Sequence, residues 1–335
     1  MYKRQALKRV VVTGLGALTP IGNNLNDFWT GLIEGKSGAA PITYFDTEKF
    51  KTKFACELKN FDISLHLDRK QQRTMDRFTQ YGMVSTEEAI KHSGLDLDKV
   101  DKLRVGVIWG SGIGGIETFQ NQMLDHAKGD GTPRFNPFFI PKMIADIIPG
   151  YISINYGFMG PIYTTVSACA SAADSIGQGL HMIRRGEADI VLAGGSEAAI
   201  CPIGIAGFNS ARALSTNNEN PEKASRPFDA ERDGFVLGEG CGLLILEEEE
   251  HALKRGATII CELSGYGATS DAHHVTQPHP EGEGASKAMD IAINDAGIEK
   301  EKVAYINAHG LSLIHISEPT RLRRIAYSVF CLKKK

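Results

Sequence analysis

The sequence holds no CxxC pair, no long apolar run and no excess of positive charge, and each absence closes off a class of function. Its six cysteines, Cys56, Cys169, Cys201, Cys241, Cys261 and Cys331, fall in no metal-ligand spacing. They read as reduced thiols of a cytoplasmic chain, mostly core filler, and no metal site is expected. No stretch approaches the ~18 apolar residues of a membrane span. The opening MYKRQALKRVVVTGLGALTP has a basic head, but only three valines precede Thr13 and Gly14. It therefore reads as a strand and turn rather than a signal peptide. A net charge of −3 lacks the basic surplus of a nucleic-acid binder. With 42% hydrophobic and 23% charged residues over 335 positions, the composition is that of a globular chain with a large core.

Buried strands alternating with amphipathic helices predict a layered α/β fold. Short β-branched runs at residues 10–12, 105–108, 190–192 and 243–246 read as strands, and helical periodicity covers residues 73–92, 172–185 and 285–295. An internal repeat organises the pattern. Residues 89–100 read AIKHSGLDLDKV and residues 292–303 read AINDAGIEKEKV. Each copy has a helix, a glycine at its C-terminal cap, a charged loop and then a strand, predicted at 105–109 and 303–307. Duplication implies two similar halves, the first over residues 1–257 and the second beginning at 258 and recognisable to 310. After the repeat the first copy runs on for about 150 residues, whereas the second is left with a short remainder, so the second half is expected to be incomplete. Residues 311–335 carry six basic and no acidic groups in their last 15 positions, without strand alternation or a helical stripe. They read as a segment foreign to the rest, as do the first five residues.

Two places carry chemistry. In YTTVSACASAAD, residues 163–174, a β-branched strand runs into small residues with Cys169 at the turn and a helix beyond. A thiol there meets the helix dipole and free N–H groups, which favour thiolate and can hold an oxyanion, so nucleophilic acyl transfer is one reading. The other is a structural cysteine between helix and sheet. In Asn307-Ala308-His309-Gly310, an imidazole at a predicted strand end beside glycine could reach a cleft, although a lone histidine is more often structural. The two lie in different halves, and a duplicated fold could bring them together. Gly110-Ser-Gly112-Ile-Gly114-Gly115 satisfies GxGxxG after a strand, but no βαβ unit follows with a strand ending in an acid, which argues against dinucleotide binding. No serine sits in a GxSxG elbow. His273, His274 and His279 lack a carboxylate partner at ligand spacing and read as a loop near the entrance to the site.

Together these residues resemble the β-ketoacyl-[acyl-carrier-protein] synthases of the elongating, type II class. The likeness runs from about Arg9 to Gly310 through VVVTGLGALTPIGN, GSGIGG, TVSACASA, VLAGGSEA, GFNSARALS, SRPFDAERDGFVLGEGCGLLILEE and YINAHG. It implies a thiolase-like duplicated fold of αβαβα layers in a cytoplasmic homodimer, with the second half incomplete. It also implies fatty-acid elongation by decarboxylative Claisen condensation with malonyl-ACP. Cys169 would take the acyl chain, and His309 would be the first of two histidines that stabilise the enolate. Ile113 and Phe208 would line the acyl pocket. Lys70, Arg73, Arg134 and Arg212 would dock an acidic acyl carrier protein, whose phosphopantetheine brings in the acyl and malonyl thioesters, so the enzyme itself needs no cofactor. The likeness breaks after Gly310. Leu311-Ser312-Leu313 replaces the family's Thr-Ser-Thr run, and its later lysine, second histidine and Gly-Phe-Gly loop do not occur. The polypeptide as written is therefore expected to fold poorly and not to condense. Further readings stand beside this one. A non-catalytic partner subunit is disfavoured by the intact Cys169, and a degradative thiolase-like enzyme by the basic residues and His309, whereas a truncated pseudo-enzyme stands as an alternative. Chain-length preference, and fatty-acid against polyketide service, are not legible.

Overall fold

A computed structural model describes residues 7–274, 278–310 and 328–334. The chain enters as strand β1 (Val10–Leu18), then helix α1 (Leu25–Ile33) and a small hairpin of β2 (Ala40–Pro41) and β3 (Phe54–Ala55). Helices α2 (Arg69–Thr74) and α3 (Arg77–Ser93) lead to strand β4 (Val105–Gly110). Next come α4 (Ile116–Lys128), α5 (Phe139–Met143), α6 (Ile147–Tyr156) and strand β5 (Ile162–Thr165). Helix α7 (Ser171–Arg184), strand β6 (Ile190–Glu197), α8 (Pro202–Ser210), strand β7 (Gly240–Glu248) and α9 (Glu249–Lys254) complete the first sheet region. Strand β8 (Cys261–Ala268), helix α10 (Glu283–Ala296) and strand β9 (Ser328–Lys334) follow.

The large sheet is mixed, in the order β5-β4-β6-β7-β1-β8-β9. Strand β4 lies parallel to β5 and β6, and the remaining pairs are antiparallel. Both faces are covered, which is why β4 has all six residues buried and reads as a continuous apolar run rather than an alternation. Val105, Val107, Trp109, Leu192, Leu243 and Ile245 share one core cluster with Phe78, Tyr81 and Val84 of α3 and Ile148 and Ile152 of α6. The alternate residues Ile108, Val191, Ala193 and Leu246 face α7, against Ile176, Leu180 and Ile183. This is the layered α/β fold that the alternation implies.

The repeat is visible in three dimensions. Helix α3 packs on β1 and β7, and α10 packs on β8. Both helices end in a left-handed glycine, Gly94 at φ 62° and Gly297 at φ 63°, where a side chain would be strained. Each is then followed by a 3-10 turn, Lys102–Arg104 in the first copy and Lys300–Lys302 in the second. Three expectations differ from the structure. The helix expected over 73–92 breaks at Met75, which is extended, and restarts because Asp76 caps α3 by accepting the Phe78 N–H. Residues 303–307 form no strand, and Tyr305 is 80% exposed. Their counterpart β4 is held between β5 and β6, whereas 303–307 have no ladder partner among the described residues. The segment without strand alternation does contain a strand, since β9 pairs with the outer edge of β8. An unpaired edge offers its backbone to any extended segment. Residues 311–327 lie outside the described residues.

Candidate active site

Strands β4 and β6 end side by side, with Gly110 opposite Gly195. Both lack a side chain for a reason. A Cβ on Gly110 would fall 2.4 Å from the Ala172 nitrogen, and one on Gly195 would fall 2.9 Å from the Ala172 Cβ. The two glycines thus let the first turn of α7 sit directly against the strand ends. A methyl group at Gly110 has backbone on one side and strand on the other. Gly110→Ala is expected to destabilise the fold by about 1–3 kcal/mol in chemical denaturation, because the overpacked helix start must move. It should also shift the turn that carries Cys169.

Cys169 occupies the middle of a 3-10 turn, Ala168–Ala170, that runs into α7, and it is exposed. The turn is held by its neighbours. Ser171 Oγ accepts the Ser167 N–H at 2.9 Å and donates to the Ala168 carbonyl at 2.7 Å. Thr165 Oγ1 donates to the Ser171 carbonyl at 2.8 Å. Ser167 Oγ donates to Asp174, which also accepts from the Tyr266 hydroxyl at 2.5 Å. Ala168 takes φ 52°, a left-handed conformation that costs an alanine of order 1–2 kcal/mol and is concentrated at functional turns. No side chain caps the start of α7. An exposed thiol beside an uncapped helix N-terminus can attack a carbonyl and offer N–H groups to the resulting oxyanion.

The thiol itself corrects one expectation. Although Cys169 is exposed at the surface, the protein around its sulfur withdraws water and pushes the thiol pKa up, outweighing the contribution of its own backbone N–H. Alkylation of Cys169 by iodoacetamide should accordingly keep rising with pH beyond about 8.5, the ordinary thiol value, because only the thiolate reacts. Peptide-resolved labelling between pH 6 and 10 measures this, and a plateau near pH 7 would contradict it.

The loop after β4 lies against this turn. A Cβ on Gly112 would come within 3.4 Å of the Ala168 carbonyl oxygen and 3.2 Å of Glu197 Oε2. Ile113, at the apex, is 41% exposed. Phe208 is on α8, half-buried in a cluster with Ile116, Ile205 and Leu214 and edge-on to Phe235 at 5.3 Å. His309 lies elsewhere on the chain path. Its neighbour Gly310 packs toward Pro227, with an added Cβ 3.3 Å from Pro227 Cγ. His309 is exposed, and withdrawal of water lowers its pKa, favouring the neutral imidazole. No hydrogen bond joins it to Cys169 among the described residues. Lys70 and Arg73 on α2, Arg134 and Arg212 are all exposed, and none is in an ion pair among the described residues. Glu197 and Asp174 were not legible as site residues. Glu197 lies inside the VLAGGSEA motif, but nothing in the sequence marks what its carboxylate contacts.

The fold and this site define a condensing enzyme of the thiolase-like kind. The description "Beta-ketoacyl synthase, N-terminal domain" matches residues 7–252, and "Beta-ketoacyl synthase, C-terminal domain" matches residues 260–315. The chain belongs to the β-ketoacyl synthase family. It is 50% identical over 308 residues to 3-oxoacyl-[acyl-carrier-protein] synthase 2 of Staphylococcus aureus (strain COL), covering 91% of this chain and 73% of that protein. It is 48% identical over 308 residues to the synthase of the same name from Synechocystis sp., with the same coverage. A β-ketoacyl synthase from Burkholderia phymatum superposes with a TM-score of 0.83 at 34% identity, over 92% of this chain and 75% of that one. A type II polyketide ketosynthase, solved with its acyl carrier protein and bound to a hexaketide, superposes with a TM-score of 0.82 at 32% identity, again over 92% and 75%.

Proposed function

We propose that this chain is a 3-oxoacyl-[acyl-carrier-protein] synthase of fatty-acid elongation, with Cys169 as its nucleophile. The observation that carries the reading is the exposed thiol on a left-handed turn at the uncapped start of α7. The Cys169 sulfur attacks the thioester carbonyl of an acyl chain carried on phosphopantetheine. The bond from that carbonyl to the carrier sulfur breaks, and the proton lost by Cys169 ends on the carrier thiol. In the second half-reaction malonyl-ACP loses CO2, and the resulting enolate displaces Cys169 to give β-ketoacyl-ACP. His309, neutral as its lowered pKa favours, would hydrogen-bond the enolate. Ile113 and Phe208 would line the acyl pocket. The exposed Lys70, Arg73, Arg134 and Arg212 would steer the acidic carrier.

A division at residues 257/258 fits the repeat. A homodimer fits the edge of the sheet. Strand β5 pairs on one side only among the described residues, and Ile162, Tyr163 and Val166 around it are 40%, 38% and 63% exposed. Unpaired apolar edges of this kind favour addition of a second copy. No helix among the described residues is long and apolar enough to cross a membrane, and a cytoplasmic setting fits the reduced cysteines. A non-catalytic partner subunit is not favoured, since the chain keeps the thiol and its curated relatives are synthases.

The two half-reactions are to be measured separately. With acyl-ACP alone, the chain should gain the mass of the acyl group. Absence of any acyl transfer would overturn the reading.

A further inference from the structure

Glu197 ends β6 with its side chain turned to the neighbouring loop. Its Oε2 accepts the N–H of Gly112 at 2.8 Å and of Ile113 at 2.9 Å. Its Oε1 accepts the N–H of Gly114 at 3.1 Å and the Ser111 hydroxyl at 3.4 Å. Four consecutive residues therefore donate to one carboxylate, and no lysine or arginine forms an ion pair with it among the described residues. Burial raises its pKa while the three backbone donors oppose that rise, so the charge is held by backbone dipoles rather than a cation. Two glycines make the clamp possible. Gly112 leaves space between Glu197 Oε2 and the Ala168 carbonyl, and Gly114 takes φ 76° with Met143 backbone beside it.

We propose that Glu197 is a positioning residue for the acyl site: its carboxylate clamps the backbone of residues 112–114 and so fixes the wall that Ile113 presents beside Cys169. The inference rests on the reading of Cys169 as the acyl acceptor. Glutamate is the side chain that can do this. Glutamine would turn an NH2 donor toward N–H donors, and alanine would leave four donors without their acceptor. The clamp touches no substrate; it acts through the loop. Its loss should therefore alter how Cys169 discriminates among chain lengths more than it alters the reactivity of the thiol.

The test uses N-alkyl iodoacetamides, which probe access along the wall without requiring acyl transfer. The rate of Cys169 labelling by N-dodecyl iodoacetamide is compared with that by iodoacetamide, in the unaltered chain and in Glu197→Gln. The control is Glu57→Gln. Glu57 holds another loop by accepting the Thr43 N–H at 2.9 Å and the Thr43 hydroxyl at 2.7 Å, so its loss has a structural effect of the same kind. The expected result is a dodecyl-to-short ratio that falls about tenfold in Glu197→Gln, as an ångström-scale shift of the wall can produce. Iodoacetamide reactivity should stay within about twofold, and the ratio in Glu57→Gln should not change. A ratio unchanged in Glu197→Gln, or lowered equally in Glu57→Gln, overturns the inference while leaving the acyl-transfer reading standing. An unaltered chain that shows no chain-length preference denies the wall itself and overturns the inference, while the acyl-transfer reading is judged by the acyl-ACP experiment alone.

Discussion

Alanine at Cys169 should abolish acyl transfer to the chain, a loss of about 10⁴-fold or more against the unaltered protein. No neighbour can replace the nucleophile. The flanking Ala168 and Ala170 carry no attacking group, and Ser167 and Ser171 have their hydroxyls committed to Asp174 and to the Ala168 carbonyl. The fold should be unaffected, since Cys169 is exposed and makes no hydrophobic core contact. The measurement is acyl incorporation from acyl-ACP followed by intact mass, with thermal unfolding as the check on the fold. Transfer persisting at more than a few per cent would move the nucleophile elsewhere.

Arg255→Ala should destabilise the chain by about 3–5 kcal/mol at neutral pH, because it leaves an uncompensated charge inside. The Glu247 side chain is fully buried where β1 meets β7. Arg255 Nε and Nη2 donate to its two oxygens at 2.7 and 2.8 Å, Thr13 Oγ1 donates at 2.7 Å, and His251 Nδ1 is at 2.6 Å. Burial pushes the Glu247 carboxyl up, but the hydrogen bonds from Arg255, Thr13 and His251 outweigh it and hold the carboxyl below its usual range. A carboxyl with a depressed folded-state pKa stabilises the fold above its unfolded pKa of about 4.3, and that contribution is lost as pH falls through the folded value. Without Arg255, burial dominates and the folded pKa rises, so protonation relieves the variant. The stability gap between the two proteins should then narrow between pH 7.5 and pH 4.5 in urea titrations. Arg255→Ala combined with Glu247→Gln should recover part of the loss. A gap that widens toward low pH would contradict this account.

Much of the fold was legible because it rests on period and capping. The apolar runs of β1, β4, β6 and β7 and the glycines at 94 and 297 are local signals, and they locate strands and helix ends directly. The turn carrying Cys169 was legible for the same reason, as small residues between a β-branched run and a helix. What the sequence does not display are consequences of contact. Residues 303–307 have the composition of a strand, yet strand formation depends on a ladder partner. The Cys169 thiol was expected to be helped toward thiolate by the helix start, and withdrawal of water by its surroundings proved the larger effect. Asp76 interrupts a helical stripe through one cap. Glu197 lies within the VLAGGSEA motif, and only the approach of β4 and β6 makes it the acceptor for four donors. His309 and Cys169 lie in different halves, and no hydrogen bond joins them among the described residues.

The central claim is that Cys169, among the six cysteines of the chain, is the one that carries the acyl group. Its most direct test is to incubate the chain with acyl-ACP, digest it without reductant at mildly acidic pH, and locate the acyl mass by peptide sequencing. The account predicts a single thioester on the peptide containing Cys169 and none on those containing Cys56, Cys201, Cys241 or Cys261, which lie buried or half-buried. An acyl group on any other cysteine, or a chain that stays unmodified while acyl-ACP is intact and the protein is folded, would contradict it.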